Sequence, residues 1–219
     1  MPLNFKFYKW LFVSNNLEYK RGGKAIARQP RIWYPGAVYH VVARGNRKED
    51  IFRQIEDYKV YMKFLKKVNE KYPFKLYSYC LMGNHVHLQI ATIDSEIWKI
   101  MKSIHWMYSM YFNEKYDLTG HLFQGRYYSE IIDTESYLLQ TSKYIHLNPV
   151  KAGIVEKPIQ YPWSSYGVFM GLYKNDLVDE NAILCLFQNG SRDLYREYVE
   201  GVWRCQVLLI NYEYRGGCW

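Results

Sequence analysis

Between residues 37 and 150 the apolar positions change period several times, and each change marks an element. Ala37 to Ala43 (AVYHVVA) is β-branched and aromatic and predicts a strand, broken by Arg44-Gly45-Asn46-Arg47. Over 56–71, Tyr58, Tyr61, Met62, Leu65 and Val68 recur at three-and-four spacing. That predicts an amphipathic helix, ended by Pro73, with Lys59, Lys63, Lys66 and Lys67 as its solvated side. Phe74 to Leu81 and Val86 to Thr92 predict two strands around a turn at Met82-Gly83-Asn84. Over 96–116, Ile97, Ile100, Met101, Ile104, Met107, Tyr108, Tyr111 and Phe112 line one side of a second helix. Gly120 and Gly125 bracket a strand continuing through Tyr127 to Ile132. Asp133-Thr134 reads as the N-cap of a third helix, and Pro149 predicts its end near Asn148. A last helix is predicted from Arg192 to Val202.

The first six elements run βαββαβ. That order predicts an α+β fold: a ferredoxin-like (split βαβ) antiparallel sheet with helices on one face, the other face open to a substrate. Residues 1–26 read as an N-terminal extension, 27–170 as the main domain and 171–219 as a C-terminal helical segment. Lys and Arg number 29 against 21 Asp and Glu, a net charge of +8 that suits a polyanionic partner. Four cysteines (Cys80, Cys185, Cys205, Cys218) form no CxxC pair, which argues against a zinc knuckle or a disulfide framework. No apolar run approaches the roughly 20 residues of a membrane span, so a cytoplasmic location and no membrane partner are expected.

The chemistry concentrates in Gly83-Asn84-His85-Val86-His87-Leu88-Gln89-Ile90. On a strand His85, His87 and Gln89 share one face, and Val86, Leu88 and Ile90 the other. Two adjacent imidazoles suit one metal ion. A His-x-His pair is a weak signal alone, and an alternating, half-exposed strand explains it equally well. Tyr144 and Asn148, at i and i+4 on the third helix, share a helical face. Asn148 could complete three protein ligands and Tyr144 could attack a bound phosphate. In a chain of 23 tyrosines, packing is the competing role for Tyr144. Arg44, Arg47 and Arg126 are candidate phosphate contacts. His40, His105, His121 and His146 show no partner pattern and read as structural. Tyr161-Pro162-Trp163-Ser164-Ser165-Tyr166 reads as a loop closing the core.

Five stretches together carry a family resemblance: Trp33 to Val41 with Arg44-Gly45-Asn46-Arg47, Tyr79 to Leu88, Gly120 to Tyr127, Tyr144 to Gly153, and Tyr161 to Tyr166. Over about residues 27–170 the chain resembles the single-tyrosine HUH transposases of the insertion-sequence-200-like family, in particular the REP-associated tyrosine transposases. The resemblance implies an HUH endonuclease-type fold, with 27–170 as the catalytic domain. It matches His85 and His87 to the metal ligands, Asn148 to the third ligand and Tyr144 to the nucleophile. It implies a divalent metal, Mg²⁺ or Mn²⁺ in use, although zinc would bind such a set. It further implies single-stranded DNA, folded as a hairpin, as partner, a 5′-phosphotyrosine intermediate, and action as a monomer or homodimer. Gly83 departs from the pattern, standing where the family usually has proline. Two alternatives stay open: a domesticated, non-catalytic hairpin DNA-binding protein, and a metal-dependent phosphodiesterase using water.

Overall fold

The computed structural model describes residues 32–201. The expected extension at 1–26, the end of the last helix at Val202, Cys205 and Cys218 lie outside the described residues. The elements are β1 (Val38–Arg44), α1 (Ile55–Lys71), β2 (Phe74–Met82), β3 (His85–Thr92), α2 (Ile97–Tyr116), β4 (Tyr128–Ile132), α3 (Glu135–Lys151), α4 (Tyr166–Phe169), α5 (Asn181–Leu184) and α6 (Arg192–Glu200). The strands form one antiparallel sheet in the order β2-β3-β1-β4. This is the α+β, ferredoxin-like arrangement expected from the element order.

One sheet face carries Tyr39, Val41, Ala43, Leu81, Val86, Leu88 and Ile90, all buried. Residues at every second strand position must point the same way, so these side chains form a continuous apolar surface. Tyr61, Leu65 and Val68 of α1 and Ile97, Ile100, Ile104 and Tyr108 of α2 join them in one hydrophobic cluster. A bulge at Tyr77 adjusts β2: Leu76 pairs with Ile90, yet Ser78 pairs with Gln89. The extra residue lets Leu76 and Tyr79 both face the helices despite their odd spacing.

The opposite face carries His40, Val42 and Arg44 of β1 beside Gln89, His87 and His85 of β3. It is not left open as expected, because α3 lies across it. Gln89 Nε2 donates to the Leu138 carbonyl at 3.0 Å, and Ser78 Oγ donates to Gln89 Oε1 at 2.7 Å. Helix α3 also runs past Pro149 to Lys151. A proline removes a single i→i−4 bond, and three residues from the end that loss is small. The Ala152 N–H then closes the helix on the Asn148 carbonyl at 2.9 Å.

The Tyr161–Tyr166 loop closes the core, as its aromatic content suggested. Tyr161 Oη donates to the Leu81 carbonyl at 2.7 Å, and the Leu81 N–H donates to the Trp163 carbonyl at 2.9 Å. Trp163 stacks on Tyr58 at 4.5 Å. The segment after residue 170 joins the same cluster through Val178, Ile183, Leu184, Phe187, Tyr195 and Val199.

Candidate active site

The loop after β1 holds the β2–β3 turn and thereby aims His85. Gly45 N–H donates to the Asn84 carbonyl at 2.8 Å, and the Ile51 and Phe52 N–H groups both donate to the Gly83 carbonyl. A side chain at Gly45 would put its Cβ 2.1 Å from the Glu49 carbonyl oxygen, so only glycine permits the loop to fold back this closely. Arg47 and Lys48 follow with φ of 53° and 65°, the left-handed turn that returns the chain. The Gly83 turn is thus clamped from outside, which offsets the looser backbone expected of glycine there.

Asn84 Nδ2 donates to the Lys48 carbonyl, which orients its Oδ1 to accept from His85 Nδ1 at 2.6 Å. The His85 and His87 rings lie edge to face with centroids 5.0 Å apart. The Tyr144 ring meets His87 at 5.5 Å. Asn148 is near enough to influence the protonation of both Tyr144 and His85, and its Nδ2 donates to the Tyr144 carbonyl at 3.4 Å. All four residues expected to form the site are therefore adjacent, although two come from β3 and two from a helix more than 50 residues later.

Electrostatics favour neutral imidazoles at His85 and His87. Burial pushes the His85 pKa down to about 4, helped by the Arg44 charge and opposed by the Asn148 hydrogen bond. Burial also holds His87 well below the usual imidazole range, with the charges of His85, His40, Arg44 and Lys151 adding to it. Both rings are therefore deprotonated at neutral pH, the form that binds metal. Burial raises the Tyr144 pKa, while the Asn148 hydrogen bond and the Arg44 charge pull it back part of the way. The resting phenol is protonated.

Arg44 sits directly opposite His85 across the β1–β3 pair, so one candidate phosphate contact belongs to the site. Arg47 and Arg126 are exposed outside the histidine cluster. Arg47 lines a separate hollow with Asn46, Arg53, Phe112 and His121. Lys151 was not singled out from the sequence, yet its Nζ lies 4.6 Å from the centre of the Tyr144 ring. His40 was read as structural and instead joins the cluster: its Nε2 and His87 Nδ1 share a hydrogen bond of 3.1 Å. Its ring stacks on His87 at 5.3 Å and meets Tyr144 at 5.9 Å. Strand alternation from Arg44 could have placed His40 on this face, but only with the β1–β3 register in hand.

The donor set suits a divalent cation. Among the described residues no three His, Cys, Asp or Glu side chains gather as a metal site. Asn148 is the amide that acts on His85, and imidazole and amide-oxygen donors are types that divalent cations accept.

A split βαβ sheet with two histidines on one strand and a tyrosine and asparagine on a facing helix is the arrangement to set beside known proteins. The model of the IS200-like transposase family matches residues 34–148, over half of the chain. The chain belongs to that family. More specifically, it is similar to a REP-associated tyrosine transposase of Haemophilus influenzae, 27% identical over 114 residues. The match covers 46% of this chain and 64% of that relative, so the chain spans just under two thirds of the relative's length. A solved structure of a REP-associated tyrosine transposase bound to a REP hairpin shares the fold, with a TM-score of 0.57 at 20% identity. It covers 70% of this chain and 94% of that one. Among the described residues no helix is long and apolar enough to cross a membrane.

Proposed function

We propose that this protein is a metal-dependent DNA nicking and strand-transfer enzyme that uses Tyr144 as its nucleophile. The observation that carries the reading is the adjacency of Tyr144 to His87 and to Asn148, which also contacts His85. The substrate is single-stranded DNA folded as a hairpin, by analogy with the relative whose solved structure holds a REP hairpin. The basic charge of +8 favours such a partner.

His85, His87 and the Asn148 amide oxygen would hold one Mg²⁺ or Mn²⁺. That ion, when bound, polarises the scissile phosphate and offsets the charge that develops on it. Tyr144 Oη attacks the phosphorus while the bond from phosphorus to the 3′-oxygen breaks. The phenolic proton leaves Tyr144, and the departing 3′-oxygen gains one. The products are a 5′-phosphotyrosine and a free 3′-hydroxyl. Attack by another 3′-hydroxyl reverses the step and releases Tyr144, so joining needs no nucleotide cofactor. Arg44 adds positive charge beside His85, where a phosphate would approach. The Tyr144 phenol is protonated at neutral pH, as an ordinary phenol is, so it must lose its proton as it attacks.

The test is a labelled hairpin oligonucleotide incubated with the protein and Mn²⁺, then run on a denaturing gel. A protein-linked band absent in Tyr144→Phe is the expected result. Cleavage without the linked band would favour a water-using phosphodiesterase. Retardation on a native gel without cleavage would favour a hairpin-binding protein.

A further inference from the structure

His40 lies on β1, in a stretch separate from the His85–His87 pair and from Tyr144. Three observations set it apart from the other buried histidines. Its Nε2 meets His87 Nδ1 at 3.1 Å in a fully enclosed setting. Its ring stacks on His87 at an interplanar angle of 24°. The same ring meets the edge of Tyr144 at 5.9 Å.

The other ligand histidine shows what such a contact does. Asn84 Oδ1 is an obligatory acceptor, so His85 Nδ1 carries the proton and its Nε2 is the nitrogen to meet a cation. His87 needs the same tautomer to ligate through Nε2, and its Nδ1 contact is His40. An outer partner of this kind fixes both the tautomer and the ring orientation of a metal ligand.

We propose that His40 is the positioning residue of the metal site: its Nε2 accepts from His87 Nδ1–H, directs His87 Nε2 toward the cation, and its ring fixes the distance between His87 and Tyr144. The inference rests on the proposed metal site. It also gives a reason for a histidine at this place in β1. A phenylalanine would fill the space and keep the stacking, but it would leave a buried N–H without an acceptor.

The experiment is titration of the full-length protein with Mn²⁺ alone, following free ion by electron paramagnetic resonance. It compares the native protein, His87→Ala, His40→Phe and His40→Gln, with a thermal melt of each. Native protein should bind one ion and His87→Ala should lose it. His40→Phe should bind about 10- to 100-fold more weakly. His40→Gln, whose amide oxygen can accept from His87 Nδ1–H, should recover most of the affinity. If His40→Phe does not fold, His40→Gln and a long-range ¹⁵N spectrum of the metal-free native protein decide, and the spectrum should show His87 protonated at Nδ1. Native-like Mn²⁺ affinity in His40→Phe, or His87 protonated at Nε2, would overturn the role of His40 while leaving the metal site intact. Failure of the native protein to bind Mn²⁺ would remove the metal reading and this inference together.

Discussion

Helix α3 carries a histidine–tyrosine cluster on each of two sides, and the two differ in how completely they are closed. On the inner side His146 and its partner Tyr195 are fully buried. His146 Nδ1 and the Tyr195 hydroxyl share a hydrogen bond of 2.7 Å, and His146 Nε2 and Ser165 Oγ share another of 2.7 Å. Ser142 Oγ completes the set on Tyr195 at 2.5 Å. Every nitrogen of that imidazole is consumed inside the protein, so the cluster joins α3 to α6 and can bind nothing else. On the sheet side, His85 and Tyr144 are only partly buried, and Lys151 at the helix end is exposed. There Asn84 Oδ1 holds His85 Nδ1, and His87 Nδ1 meets His40 Nε2. Identical residue types thus give a closed strut in one place and, on the proposed reading, a reactive centre in the other, where part of the cluster reaches solvent.

The largest expected contrast comes from removing one hydroxyl on each side. Tyr144→Phe should lower adduct formation by on the order of 10³-fold or more, while the melting temperature stays within a few degrees. Tyr195→Phe should do the reverse. It leaves Ser142 and His146 short of a partner in the interior, an effect of about 1–3 kcal/mol, read as a Tm lower by roughly 3–10 °C with cleavage retained below that temperature. If both variants lose activity in proportion to stability, the two clusters are not functionally distinct.

The histidines sharpen the same contrast. His146→Ala opens a cavity and strands two hydroxyls, which should cost about 3 kcal/mol or more in a denaturant melt. His87→Ala should retain the fold and lose Mn²⁺-dependent cleavage. A cleaving His87→Ala variant would show that the sheet-side cluster is packing.

Acid should separate structural groups by their windows. Burial holds His105 at about 3, against 6.5 for a solvent-exposed imidazole in the unfolded chain. The unfolded state therefore takes up a proton that the folded state refuses. The stability from this group is whole above pH 6.5 and falls as pH drops from there toward 3. For Asp57 burial acts to raise the pKa, but hydrogen bonds from Lys115, Tyr116 and the Gln54 and Arg53 N–H groups win and hold it at about 2. Its contribution is present above pH 3.8 and is lost as pH falls through 2. Thermal melts should thus begin to decline below pH 6.5. In His105→Phe the decline between 6.5 and 4 should be shallower, because phenylalanine takes up no proton in the unfolded chain, and the change breaks no hydrogen bond at Nε2. The smallest effect is expected at Lys59, whose 3.8 Å pair with Glu56 is largely in water. Lys59→Ala should leave the Tm within about 1 °C.

The divide between the clusters also marks what was readable in the chain. Alternation in His85–Ile90 showed which side chains share a face, and the i, i+4 spacing put Tyr144 beside Asn148, because both facts depend only on local geometry. Sheet order followed from the succession of elements. His40 was missed because its contact with His87 spans 47 residues and depends on strand register. His146 was rightly read as structural, but its link to Tyr195 was not legible: Tyr195 reaches it from a helix after residue 190, and neither residue has a local pattern that announces the other. The expectation of an open sheet face failed because α3, whose end was placed at Pro149, lies across that face.

The central claim is that Tyr144 becomes covalently linked to DNA. Its most direct test is to trap the reaction of the native protein with a hairpin oligonucleotide and Mn²⁺, digest with nuclease and protease, and locate the modified peptide by mass spectrometry. The account predicts a 5′-phosphonucleotide on the hydroxyl of Tyr144 and on no other of the 23 tyrosines. Cleaved DNA with a free 5′-phosphate and unmodified Tyr144, or an adduct on a different residue, would contradict it.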